Sequence, residues 1–243
     1  MKINKGDELN NYLVSLMDVN DLNMSLADLY LSVIGNIELI NEKEIGVLVR
    51  EYNCDVNEIM LSKICEYWDI DFDNEENEDI YLSIIEPSIR QISLEKYKNN
   101  PYYQTIKISD VKDGDYELIY DTYKAYELFP LKDIEVDNGY VEHSSLGYFK
   151  EDFPFIALNY KNETWMSITP NEIETMEPHI KKAFGHVIVF GLGVGYYSFM
   201  ISLKEEVKKI TIIEKDKKII NLFNKYILPQ FPHQEKIQIV EGD

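Results

Sequence analysis

Cysteine is scarce in this 243-residue chain: Cys54 and Cys65 stand alone, with no CxxC pair and no histidines spaced to join them. That excludes a disulfide framework and a zinc site, and it suits two free thiols in a reducing cytoplasm. No apolar run approaches the roughly 20 residues needed to cross a bilayer. The opening "MKINKGDELNNYL" lacks the apolar core of a secretory signal. No low-complexity linker and no internal repeat is visible, and with 45% hydrophobic residues and 18 tyrosines the chain has ample material for a packed core.

Positive charge is the other shortage. Residues 1–180 hold 14 Lys+Arg against 37 Asp+Glu, a net of −23, whereas residues 181–243 hold 10 against 7, a net of +3. A nucleic-acid grip needs clustered cations, so residues 1–180 exclude one. The acidic surface reads as solubility, with a basic protein partner or a polycationic substrate as the sharper alternative.

Three rhythms divide the chain. Residues 1–100 form an acidic helical region, in which Leu9, Leu13, Leu16 and Met17, and then Leu26, Leu29, Tyr30 and Val33, fall at helical spacing. Ser25 and Asp55 are the expected N-caps of two of its helices. Asp71–Asp79 is expected as an acidic loop, and Pro87 as a break in the helix after it. Residues 101–170 read as strands: "YQTIKI", "YELIYDTY", "AYELF", then "PFIALNY" and "TWMSIT" joined as a β-hairpin by Lys161-Asn162-Glu163. Thr169 or Asn171 then caps a helix running to Gly185. Residues 171–243 end in buried apolar strands, "HVIVFG", "KKITIIE" and "KIQIV", alternating with helices. That grammar calls for parallel β-α-β units with helices on both faces of the sheet. The expected class is therefore α/β (α+β overall).

Between the first parallel strand and its helix lies Gly191-Leu192-Gly193-Val194-Gly195. Glycines there let backbone approach a ligand without Cβ clashes. Glu214 ends the second strand, where a carboxylate can accept from ribose hydroxyls. Asp243 follows the third strand at the same rim, within reach of an adenine amino group. Three strand ends thus converge on one crevice. The dinucleotide fingerprint would need glycine at position 196, which is Tyr196.

The stretch "VIVFGLGVGYYSF…KKITIIEKDKKIINLF…KIQIVEGD" resembles the first half of a class I S-adenosylmethionine-dependent methyltransferase, a Rossmann-like fold. Within that superfamily "ITIIEKDKKII" and "IQIVEGD" look most like the spermidine-synthase branch, which uses the related decarboxylated cofactor. The resemblance covers about residues 186–243. It implies that Gly191, Leu192, Gly193 and Gly195 cradle the amino-acid and sugar part of S-adenosyl-L-methionine. Glu214 would hold the ribose, Lys215 or Asp216 would lie beside the adenine, and Gly242 and Asp243 would bracket its edge. Val189 stands where many methyltransferases carry an acid that contacts the methionine amino group; spermidine synthases also lack it. Upstream, Glu172, Glu174 and His179 occupy a helix similar to one that leads into the glycine strand in spermidine synthases, which makes Glu172 a substrate candidate, although an acid-rich, solvated first turn that suits the helix dipole is the leading reading. Trp165 and Met166, adjacent in a strand, face opposite sides; core packing for both is the leading reading, and the alternative has one lining a substrate cleft while the other packs in the core. "NNPY", Asn99–Tyr102, resembles the target-nitrogen loop of amino-group methyltransferases but reads better as an ordinary turn.

A sheet of that family has seven strands and three are present, so the sequence reads as a longer protein cut after the third strand. The bare sheet edge is a candidate homodimer surface. The leading expectation is the cofactor-binding portion of a methyltransferase with an unknown small-molecule or protein acceptor. An aminopropyltransferase is the second reading and a non-catalytic protein-interaction module the third. No metal ligand is expected, and the sequence does not identify the catalytic residues.

Overall fold

The computed structural model describes residues 6–39 and 42–243. Of the stretches read above, Met1–Lys5, Ile40 and Asn41 lie outside them. The fold is mixed α/β, and no helix among the described residues is long and apolar enough to cross a membrane.

Along the chain run α1 (Asp7–Val33), α2 (Glu42–Tyr52), α3 (Val56–Tyr67) and α4 (Glu75–Ile80), a π-helical turn at Tyr81–Ile85, α5 (Glu86–Ser88) and β1 (Ile89–Gln91). Next come α6 (Glu95–Lys98), α7 (Pro101–Thr105), β2 (Val111–Asp113), β3 (Tyr116–Tyr123), β4 (Phe129–Val136) and β5 (Glu142–Tyr148). The rest comprises β6 (Phe153–Tyr160), β7 (Glu163–Ser167), α8 (Pro170–Lys182), β8 (Gly185–Phe190), α9 (Tyr196–Ser202), β9 (Val207–Glu214), α10 (Lys217–Leu222) and β10 (Ile237–Glu241). These group into two compact units. One holds the residues up to Ile92 with Lys124–Lys150; the other holds Ser93–Tyr123 with Glu151–Asp243.

In the first unit, α1–α5 pack with a small sheet of order β1-β5-β4. Its core includes Tyr30, Met60, Ile64, Ile85, Ile89 and Tyr148. The buried Tyr30 hydroxyl donates to Ser88 Oγ at 2.9 Å, which donates to the Ile85 carbonyl at 2.7 Å, so no polar atom in this chain of bonds is left unmatched. Asp55 caps α3 with a full capping box: its carboxylate accepts from the Glu58 N–H, and the Glu58 carboxylate accepts from the Asp55 N–H.

Several expectations fail here for identifiable reasons. Ser25 is not an N-cap. It lies within the 27-residue α1, where its hydroxyl donates to the Asp21 carbonyl one turn earlier. Half of the expected acidic loop is α4, because Asn74 accepts from the Glu76 N–H and the carboxylates of Glu75, Glu76 and Glu78 favour a helix N-terminus. Pro87 breaks the helical run as expected, at Ser88, but the region read as helical then holds a strand, Ile89–Gln91, pairing in parallel with Leu146–Tyr148. "AYELF" is mostly a turn, with Tyr126 at φ 66°, and β4 starts only at Phe129.

The second unit carries an antiparallel sheet of order β2-β3-β6-β7 and a parallel one of order β10-β9-β8. The expected hairpin is β6–β7, turned by Lys161 and Asn162 at φ 53° and 66°, the positive-φ pair whose twist matches that of the strands. The first half of "YQTIKI" is α7 and the second half is irregular, so none of it is a strand: the Asn100 side chain accepts from the Tyr102 N–H and Pro101 occupies the first helical position. Thr169 sits at the N-cap of α8, without a side-chain bond, and Pro170 follows. The helical segment after β9 is α10 continued by a π-helical turn, Phe223–Ile227, and a 3₁₀ turn, Leu228–Gln230.

Strands β8, β9 and β10 are parallel, with Val189 opposite Ile212 and Ile239 opposite the same residue on the far side. Among the described residues, α9 and α10 contact this sheet on one face, which buries Ile210 and Ile212. The other face is open, contrary to the expectation of helices on both: Ile188 is 57% and Phe190 76% exposed.

Candidate functional site

The glycine loop connects β8 to α9. The Gly191 N–H donates to the Ile213 carbonyl at 2.8 Å, and the Gly195 N–H donates to the Leu192 carbonyl at 3.0 Å. Gly191, Gly193 and Gly195 have φ of 85°, 55° and 78°, a region that costs any residue with a Cβ. Their surroundings differ. A Cβ on Gly195 would lie 2.3 Å from Phe223 Cε2, so this glycine lets α9 pack against the turn after α10. A Cβ on Gly193 would lie 3.3 Å from Met166 Sδ, and one on Gly191 would meet nothing within 4 Å. Gly191 therefore borders open space, Gly193 lies tight against Met166, and Gly195 serves packing.

Glu214 ends β9 and is only 6% exposed. Its Oε2 accepts from the Leu192 N–H at 2.9 Å and its Oε1 accepts from the Asp216 N–H at 2.8 Å. The carboxylate thus fastens the glycine loop to the neighbouring strand end. Each oxygen keeps further lone-pair capacity for a donor from a ligand. The Gly242 N–H donates to the Glu214 carbonyl at 3.0 Å, bringing the end of β10 to the same rim.

Two cavities flank this rim. The larger, about 520 Å³, is lined by Glu172, Met176 and His179 of α8, by Val189, and by the glycine loop and the start of α9. The smaller, about 250 Å³, is lined by Tyr116, Ile213, Glu214, Lys215, Asp216, Ile219, Gly242 and Asp243. Trp165, Met166, Phe190 and Gly191 line both. Every residue picked from the sequence borders this double cleft: Gly191, Leu192, Gly193, Gly195, Trp165 and Glu172 on the larger side, Glu214, Lys215, Gly242 and Asp243 on the smaller. Glu174 is the exception among the helix residues considered. Its carboxylate is taken by Lys96 and by the Tyr97 hydroxyl, at 3.0 Å from the latter, so it braces α8 against α6.

Trp165 and Met166 do not divide between cleft and core. Leu158 pairs with Met166 and Asn159 with Thr164, which leaves Trp165 as the extra residue of a β-bulge. A bulge breaks the two-residue alternation, and both side chains reach the cleft.

Three tyrosines complete the site and were not read from the sequence. Tyr116, on β3, donates its hydroxyl to Asp216, whose other oxygen caps α10 by accepting from the Lys218 N–H at 2.8 Å. Burial, reinforced by that carboxylate, holds the Tyr116 hydroxyl well above the ordinary range. Burial opposes ionisation of Asp216, but the bonds from Tyr116, Lys218 and Ile219 outweigh it and lower its pKa. Tyr102, fully buried, donates to the Val194 carbonyl of the glycine loop at 2.6 Å. The Asn100 amide donates to the Tyr196 hydroxyl at 2.9 Å. "NNPY" is therefore a helix start that clamps the loop. No local pattern marks these contacts, since each joins residues about a hundred positions apart; the density of tyrosine was the only hint.

Among the described residues no cluster of three or more His, Cys, Asp or Glu is placed to hold a metal ion. No protein-family model matches this chain, and no curated protein is significantly similar to it.

Proposed function

We propose that this chain is the cofactor-binding portion of an S-adenosyl-L-methionine-dependent methyltransferase of class I, with an acceptor yet to be found. The observation that carries the reading is the convergence of the glycine loop, Glu214 and the Gly242-Asp243 end on one divided cleft. The order β10-β9-β8, with the first strand of the motif outermost, agrees with the half-sheet that the resemblance implies.

The cleft fits such a ligand on three counts. Gly191, at positive φ, leaves open space where a Cβ would intrude, and Gly193 lets the loop lie close against Met166. Glu214 is held rigid by two backbone donors and can accept from vicinal hydroxyls. The lining of the smaller cavity combines apolar Ile213 and Ile219 with Asp216 and Asp243, a mix that suits a flat base carrying an amino group. The cofactor would supply an activated alkyl group on sulfur. The protein's share is then positioning and exclusion of water, and no acid or base of this chain has to move a proton.

Aminopropyl transfer from the decarboxylated cofactor is the second reading. It draws on Val189, which lines the larger cavity where an acid would otherwise meet the methionine amino group.

Calorimetric titration with S-adenosylmethionine, its decarboxylated form and S-adenosylhomocysteine tests both readings. Micromolar binding that Glu214→Ala abolishes is the expected result, and preference for one sulfonium ligand decides between methyl and aminopropyl transfer. Glu214→Ala also orphans two backbone N–H groups, a cost of about 1–3 kcal/mol, so a urea melt of the variant separates lost binding from lost folding. Absence of binding by all three ligands would refute the enzyme reading and leave a protein-interaction module.

A further inference from the structure

Trp165 is 59% exposed, yet it lies over no ordinary surface. It is the unpaired residue of the β7 bulge, and such irregularities re-aim a side chain away from the regular pleat. Its ring stands edge-on to Tyr160, with centroids 5.9 Å apart, so its orientation has a support on its own sheet.

The four residues shared by both cavities are Trp165, Met166, Phe190 and Gly191. Two are aromatic, one is a thioether and one has no side chain; none is charged and none offers a carboxylate, hydroxyl or amide. The polar groups lie to either side. Glu172 and His179 line the larger cavity, and Glu214, Lys215, Asp216 and Asp243 the smaller. A ligand long enough to occupy both therefore rests its ends on charged groups and its middle against rings. A neutral polar middle would find there only the indole N–H of Trp165 as a side-chain partner. A positive middle would find the ring itself, because the face of an indole attracts cations more strongly than that of any other side chain.

We propose that Trp165 is a specificity-determining residue of this cleft, selecting by cation–π attraction for a ligand with a positive charge at its centre, the sulfonium over the neutral thioether. This rests on the reading of the cleft as an adenosyl-ligand site. It holds equally for methyl and aminopropyl transfer, since both cofactors carry the sulfonium. The consequence is directional: the thioether left after transfer lacks the charge, so the same indole holds product less tightly than reactant.

The test is calorimetric titration of the full chain and of its Trp165→Leu and Trp165→Phe variants with S-adenosylmethionine and with S-adenosylhomocysteine. An exposed edge-strand position tolerates both substitutions, which matching circular-dichroism melts would verify. Trp165→Leu is expected to weaken sulfonium binding by about 3- to 30-fold and thioether binding by less than about twofold, with Trp165→Phe recovering most of the loss. Equal losses for the two ligands would reduce Trp165 to an apolar wall and overturn the proposal, as would no loss for either. If the unsubstituted chain bound neither ligand, the reading of the cleft itself would fall and this inference with it.

Discussion

At the scale of single residues, the three glycines of one loop do different work, and this is measurable. Gly195→Ala places a Cβ against Phe223 at a φ of 78°, combining steric overlap with a strained backbone. It should cost about 2–4 kcal/mol in urea unfolding. Gly191→Ala bears only the backbone strain, about 1 kcal/mol, because open space surrounds it. Equal costs for the two would contradict the division into a packing glycine and a cleft glycine. Cys65 offers a second residue-level expectation. Burial pushes its thiol up to about 11, and only the thiolate reacts with disulfide reagents. In a Cys54→Ser background, native protein at pH 8 should resist such a reagent and react fully once unfolded. The sign for stability follows. The fold favours the neutral thiol, so Cys65 has no effect below the unfolded value near 9, and stability falls as pH rises from there toward 11. Rapid reaction of native Cys65 at pH 8 would rule this out.

At the scale of elements, legibility depended on whether the determining contact was local. The capping box on α3 was half visible as Asp55 before an apolar period, and its energetic content is testable. Asp55→Ala should cost about 1 kcal/mol and shorten α3 from its N-terminus, read as reduced amide protection at Glu58 and Ile59. Unchanged protection there would mean that packing of the buried Ile59, Met60 and Ile64, and not the cap, sets the helix start. The β6–β7 hairpin was equally readable, since two polar residues, one of them an asparagine that tolerates positive φ, separate two apolar runs. Its bulge was not, because nothing in "TWMSIT" says which residue drops out of register with Leu158 and Asn159. Apolar periodicity misled at "YQTIKI", where a three-residue cap signal, Asn100-Pro101-Tyr102, outweighed it.

At the scale of the whole molecule, charge dominates. With 44 acidic against 24 basic side chains, the folded chain works against its own net −20. Raising NaCl from about 0.02 M to about 0.2 M shortens the screening length from roughly 20 Å to 7 Å, and the urea midpoint should rise with it. A falling midpoint would instead assign the larger role to surface ion pairs such as Lys98–Glu151 and Lys63–Glu44. The same scale holds what the sequence concealed most: Lys124–Lys150, two strands that follow β3 directly, group with the N-terminal helices, while Ser93–Tyr123 groups with the glycine-loop half.

By itself, then, the sequence determined the elements whose cause is local. These are the alternation of apolar strands and helices after residue 185, the positive-φ glycine turn, and the acidic groups at strand ends, which are set by periodicity, by the missing Cβ and by strand length. Tertiary structure alone decided what closes the cleft. Tyr116 reaches Asp216, Tyr102 reaches Val194 and the bulged Trp165 joins two cavities through pairings far apart in the chain, and no local propensity encodes those.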